Sequence, residues 1–383
     1  MDALDREMRF YQQSPWDFGY PRFVQETFLD GDWNPQPDRR DIIPATQNGM
    51  GILSYLDFHD FGNQHHPEYL ATACSMGDYL IRETLTPDSD HYPRFTRSTG
   101  TRGCFPQPPD AGAQSDRPFE IEPDKGGIAG YALMRLFHAS GHSRYLDQAL
   151  HNARVLAAHQ EMGDAVRSPW PFRVDFRTGE GRGPVSGNMV YILRLYDALL
   201  AKGYQEFTDP RRCLWEWITG LQIPSASGDG ALFAQFFEDH DTPTNRTAWA
   251  PLNLARYLLE SGGAADTQWL AKSKALIDFV RKTFTHVEIG ITVCHEQDED
   301  PQAWGGINAT YGAVLAMYAK AAGERPAAVE AKAALDLTLY SIDERGRPRD
   351  LHNNPVPGGW QEDAHTDVIH NYVAALRAFP EWA

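Results

Sequence analysis

The sequence predicts an all-α protein in which six inner and six outer helices form a closed double ring with long loops on one rim. Three observations carry that expectation. Apolar helix starts recur at Asn48, Gly126, Asn188, Ala248, Gly305 and Asp367, separated by 78, 62, 60, 57 and 62 residues. Amphipathic helices stand between them. The connections alternate: a short turn follows each apolar helix, and a long loop rich in Trp, Arg, Asp, Glu and His precedes the next. A repeat running through residues 1–383 is read as a single domain, although length alone would allow two or three.

In chain order, residues 2–12 carry Leu4, Met8 and Tyr11 at helical spacing and form the first outer helix. Segments such as 126–137 (GGIAGYALMRLF) and 305–319 (GGINATYGAVLAMYA) are apolar or small on nearly every face, as expected of helices surrounded by protein. Segments 67–84, 143–159, 210–221, 267–284 and 327–340 each have one wet side. In 267–284, Trp269, Leu270, Ser273, Leu276, Ile277, Val280 and Phe284 recur at steps of three and four, with Lys and Asp between. These five follow five inner helices. The sixth inner helix, 367–379, has almost no chain after it, and the N-terminal helix supplies its partner. Gly141, Gly203, Gly262 and Gly323 are the stop signals at the short turns.

A net charge of -17, from 35 Lys and Arg against 52 Asp and Glu, repels nucleic acid and anionic membranes, so neither is expected as a partner. No apolar run approaches the roughly 20 residues of a bilayer span, and the opening MDALD lacks the form of a secretory signal. A soluble, cytoplasmic protein is the expectation, or a periplasmic or secreted one if a leader has been removed. Cys74, Cys104, Cys213 and Cys294 show no C-x-x-C spacing, which argues against a structural zinc or a redox dithiol. Cys74 and Cys213 read as core residues, while Cys104 and Cys294 lie in long loops where they could meet. The acidic run HEQDED lacks the order of a calcium loop, and no P-loop, dinucleotide fingerprint or nucleophile elbow is present. No metal or cofactor is expected.

Long loops held by a rigid scaffold are where binding surfaces form. Trp16, Trp33, Trp170, Trp249, Trp304 and Trp360 lie in or beside them, either to stack on sugar rings or to anchor the loops. Residues 92–102 hold Arg94, Arg97 and Arg102 without an acid, and Arg173, Arg177 and Arg182 follow on the next loop. Arginine forks bind carboxylates, so these residues either grip an anionic sugar or pair with rim acids. Carboxylate candidates are Asp124 in EIEPDKGG, Asp175, Glu296, Asp298, Glu362 and Asp363. Cleaving a glycoside needs one carboxyl to protonate the leaving oxygen and a second to activate water or attack carbon. In AHTDVIHNY, Asp367, His370 and Asn371 share a helix face and His365 stands just before it, so these histidines are possible proton carriers.

This layout resembles the six-hairpin glycosidase superfamily of (α/α)6 barrels. The resemblance implies a pocket where the long loops enter the inner helices and a carbohydrate substrate handled by paired carboxylates or by His and Tyr. The placement of Asp124 and Asp175 is similar to that of the two aspartates of unsaturated glucuronyl hydrolases. The resulting expectation is a glycoside hydrolase acting on a uronate-containing oligosaccharide or polysaccharide. Its catalytic candidates are Asp124 and Asp175, then Glu296, Asp363 and His365. Its binding candidates are Arg94, Arg97, Trp170, Arg173, Asn245, Trp249, Trp304, Asn308, Tyr311, Trp360 and His370. The alternatives are a lyase acting by β-elimination, an epimerase using His365 and His370, and a sugar-binding protein without catalysis.

Overall fold

The structure is a computed structural model that describes residues 1–14, 16–17, 19–21, 28–29, 43–61, 66–100, 116–238, 242–348, 360–361 and 366–383. Twelve long helices organise these residues: α1 (Asp2–Gln13), α2 (Pro44–His59), α3 (Pro67–Glu83), α4 (Pro123–Ser140), α5 (Ser143–Ala158) and α6 (Val190–Ala201) in the first half. The second half holds α7 (Thr208–Trp217), α8 (Trp249–Ser261), α9 (Trp269–Phe284), α10 (Gly305–Ala322), α11 (Arg325–Tyr340) and α12 (Thr366–Ala378). The even-numbered helices pack in succession, α12 returns onto α2, and the inner ring is closed. Helices α3, α5, α7, α9 and α11 lie outside it, each against the inner helix that precedes it.

Burial separates the two rings as the periodicity predicts. Every residue of α10 from Gly305 to Ala316 is buried. In α9 burial is confined to Ser273, Leu276, Ile277, Phe279, Val280 and Phe284. Helix α1 fills the sixth outer position. Leu4, Met8 and Tyr11 are fully buried, and Thr72 of α3 donates its hydroxyl to Gln12 Oε1 at 2.8 Å. Boundaries follow local chemistry: α4 starts at Pro123, whose missing N–H costs nothing in a first turn. It stops at Gly141, which takes the left-handed conformation and returns its N–H to Phe137 O at 2.8 Å. Helix α7 begins two residues before the expected 210 and runs on through a π segment, Ile218–Gln222.

Short strands brace the loops. Glu120–Ile121, Arg173–Asp175 and Gly181–Arg182 form an antiparallel sheet with Glu120 opposite Asp175 and Arg173 opposite Arg182. Thr285–Glu288 and Ile291–Cys294 make a hairpin, and Phe28–Leu29 pairs with Trp360–Gln361. Cys74, Cys213 and Cys294 are thiols without disulfides, and Cys104 lies outside the described residues.

Candidate active site at the loop end of the ring

The loops that enter the first four inner helices converge on one buried cluster of charge. Pro123 opens α4, so Glu122 and Asp124 flank the helix start and Lys125 follows one residue later. The strand Arg173–Asp175 brings Arg173 from the loop before α6, and the loop before α8 brings Glu238. Asp116, Glu122, Asp124, Lys125, Arg173 and Glu238 are all buried. Thr46 in the first turn of α2 donates its hydroxyl to Glu238 Oε1 at 2.5 Å. The loop before α8 thus reaches the first turn of α2, and Glu238 O also accepts from Asp116 N at 2.9 Å.

Lys125 Nζ lies 3.2 Å from Asp124 Oδ2 and 3.4 Å from Glu122 Oε2, and it sits 3.5 Å from the centre of the Phe236 ring. Arg173 pairs with Asp116, lies 3.4 Å from Glu122 Oε1, and donates to Glu238 O at 2.8 Å. Four carboxyls thus share two cations in a site closed to water. Burial, added to by the neighbouring acids, pushes Asp116 up to about 6 and Glu122 well above the ordinary carboxyl range. Burial also raises Asp124, against the opposing pull of Lys125. The same acids hold Lys125 firmly protonated although its burial works the other way. The cluster therefore sets carboxyls of raised proton affinity against cations that favour the charged form, the contrast that acid/base chemistry uses. Nearby, the Asn188 amide before α6 is buried with neither atom hydrogen-bonded among the described residues, and Asn48 Oδ1 is likewise without a partner.

Of the expected residues, Asp124 and Arg173 lie in this cluster. Glu296 is tied to its edge: Trp249 Nε1 donates to Glu296 Oε1 at 3.1 Å, and the Trp249 ring stacks on Phe236 at 6.5 Å. Asn245 donates to Gln297 at 2.6 Å and Trp304 to Asp300 at 2.9 Å, so both secure the loops that enter α8 and α10. Asp175 points elsewhere. It caps its own turn by accepting from Arg177 N at 2.9 Å and pairs with the Arg177 side chain at 2.6 Å, which holds its carboxyl below the usual range.

Several others are packing groups. Trp170 is fully buried and donates to Leu156 O at 3.1 Å. Tyr311 turns to the outer ring and bonds Glu330 of α11. Asn308 clamps Cys294 through both its backbone groups, at 2.8 and 2.9 Å. Arg94 is exposed on the outer wall, where Gln148 of α5 donates to its carbonyl at 2.9 Å, and Arg97 donates to the carbonyls of Gly100 and Pro118. His370 lines a cavity at the opposite end of the ring. Asp363 and His365 lie outside the described residues, and Trp360 is described only as a strand residue facing Leu29.

Sequence reasoning passed over Glu122, Lys125, Asp116 and Glu238. The first two stand in the same EIEPDKGG string as Asp124, where Pro123 marks the helix start and sets Glu122 immediately before it. Asp116 and Glu238 carry no such mark, because only the folded loops bring them together.

The chain adopts the (α/α)6 toroid. A sugar epimerase from a ruminal bacterium superposes with a TM-score of 0.70 at 12% identity over 100% of both chains. A D-mannose isomerase gives 0.72 at 14% identity over 99% of this chain and 96% of that one. A family 76 glycoside hydrolase from a bovine Bacteroides thetaiotaomicron strain gives 0.64 at 15% identity over 99% of this chain and 77% of that one. At such identities the likeness is one of fold. No protein-family model and no curated protein sequence matches the chain.

Proposed function

We propose that the protein hydrolyses glycosidic bonds with the loop-end carboxyl cluster as its acid/base machinery. One observation carries the reading: the buried carboxyls Glu122 and Asp116, whose pKa values burial raises above their ordinary range, stand with the Lys125–Asp124 pair where the loops enter the inner helices. Glu122 is the proton donor to the leaving oxygen. Asp124, set against the Lys125 ammonium, takes the proton of the attacking water or stabilises the cationic ring. The Asn188 and Asn48 amides are the donors and acceptors for sugar hydroxyls. Fold relatives named for sugar epimerisation, mannose isomerisation and glycoside hydrolysis support a carbohydrate substrate.

Two parts of the expectation change weight. Arg173 is committed to Asp116 and Glu122, and four carboxyls outnumber two cations, so a neutral sugar suits this cluster better than a uronate. Epimerisation through His370 is also disfavoured, since burial and Arg256 push that imidazole down to about 3 and leave it a weak base. The acid cluster is shielded from solvent, so catalysis there requires the loop end to open to substrate.

The test incubates the protein with neutral and uronate oligosaccharides and free sugars, following reducing ends, ultraviolet absorbance and sugar identity. New reducing ends support hydrolysis; an unsaturated chromophore would mean a lyase, and an altered sugar of unchanged length an epimerase. Glu122→Gln and Asp124→Asn are expected to lower kcat by about 10²- to 10⁴-fold with circular dichroism unchanged. Full turnover in both variants with a lowered Tm would make the cluster a structural clasp instead.

A further inference from the structure

A hollow lies at the end of the ring opposite the acid cluster. The inner helices line a cavity of about 630 Å³ near their C-terminal ends, within the range of small-molecule sites. Arg135, Arg194, Arg256, Lys320 and Arg377 face it, against the carboxylates Asp57 and Glu260. Asp57 lies 2.9 Å from Arg135 and 3.5 Å from Arg377, and Glu260 lies 2.6 Å from Arg194 and 2.8 Å from Arg256. Arg256 also donates to His370 Nδ1 at 2.9 Å and to Asn371 Oδ1 at 2.7 Å, and burial together with Arg256 lowers the imidazole's proton affinity. Among the described residues no carboxylate pairs with Lys320. Five cations therefore meet two anions, in a chain whose net charge is -17.

Direct capping of the ends of α4 and α10 does not engage these cations. The carbonyls at the ends of α4 and α10 are met by backbone: Gly141 N–H reaches Phe137 O at 2.8 Å and Glu324 N–H reaches Ala319 O at 3.0 Å. The hydrogen bonds the arginines make here go to side chains. The Arg194 guanidinium is further held over the rings of Tyr131 and Tyr257, at 5.7 and 5.4 Å. Leu53, Leu259, Met317 and Ala374 supply apolar wall.

We propose that this cavity binds a small organic phosphate of hexose phosphate size, its dianion held by Lys320, Arg377 and Arg194 and its carbon skeleton against the apolar wall. Guanidinium forks and an ammonium suit phosphate oxygens. The site is separate from the loop-end cluster and stands whether or not that cluster cleaves glycosides.

Calorimetry at fixed ionic strength tests it with a hexose phosphate, inorganic phosphate and the neutral hexose. The hexose phosphate is expected to bind at least about tenfold more tightly than inorganic phosphate, and the neutral hexose not at all. Lys320→Ala and Arg377→Ala, folded by circular dichroism, are each expected to weaken binding about tenfold, and Glu122→Gln to leave it unchanged. Absence of hexose phosphate binding, or equal affinity in both cation variants, would overturn the proposal. Loss of binding in Glu122→Gln would move the ligand to the loop end and overturn it equally. Equal affinity for inorganic phosphate would refute the hexose component.

Discussion

Arg173 holds two acids that burial alone would expel. Its guanidinium faces Asp116 and Glu122, and no side chain in the cluster is solvated, so Arg173→Met leaves two buried carboxyls facing each other. We expect a loss of about 3–5 kcal/mol in urea unfolding at neutral pH. The titration of Asp116 has its own signature. Its folded value is about 6 against an ordinary 3.8, so between these values the folded chain keeps a proton that the unfolded chain has released. Stability contributed by this group is complete below the lower value and falls as pH rises through the window. Asp116→Asn is expected to flatten that part of a plot of unfolding free energy against pH; an unchanged slope would place the proton elsewhere. Single side chains were also where sequence reading was weakest. Trp170 and Tyr311 share residue type and position with sugar-stacking groups, yet one is sealed under α5 and the other turned to α11. Position along a loop or helix start does not fix the direction of a side chain.

At the scale of helices most of the architecture was legible, because burial on all faces and burial on one face leave different periodicities. All twelve expected helices are present, including the N-terminal one that completes the outer ring. The small residues that made the inner segments look apolar all round have a definite use. A Cβ placed on Gly127 of α4 would lie 2.6 Å from Ile192 Cγ1, and 3.0 and 3.2 Å from the Ile192 backbone N and Cα in α6. The two inner helices touch through backbone there. In an isolated helix Gly→Ala gains about 1 kcal/mol, whereas here the added methyl meets atoms that cannot rotate away. Gly127→Ala is expected to destabilise by about 1–3 kcal/mol in denaturant unfolding, and a stabilised variant would show that α4 and α6 have room to part. The candidate site was half legible for a related reason. EIEPDKGG announces a helix start with acids on either side of Pro123, while Asp116, Arg173 and Glu238 join it through contacts between separate loops: the pairing of Glu120 with Asp175, the bonds of Arg173 to Asp116 and Glu238, and the bond from Thr46 to Glu238.

Over the whole molecule, the six inner helices run parallel, so their N-termini gather at the loop end and their C-termini at the turn end. Partial positive charge of about half a unit per helix favours acids at the first end, and the matching negative charge favours bases at the second. The chain follows that polarity, with Asp116, Glu122, Asp124 and Glu238 at one end and Arg135, Arg194, Arg256, Lys320 and Arg377 at the other. At the loop end the arrangement depends on closure, since an open ring would admit water to the buried acid cluster and weaken every interaction there. The inner ring closes through α12 on α2, and the outer ring is completed by α1, the one outer helix that precedes its inner partner in the chain. Leu4, Met8 and Tyr11 are fully buried, each adding about 1.5–3 kcal/mol of transfer free energy. Their total of roughly 5–9 kcal/mol is comparable with the entire stability of an ordinary domain. Removal of residues 1–14 is therefore expected to abolish a single cooperative thermal transition, and Leu4→Ala to cost about 2–5 kcal/mol while keeping one transition. If the truncated chain instead melts cooperatively near the Tm of the full chain, the remaining eleven helices close the ring by themselves, and the polarity of the two ends does not depend on α1.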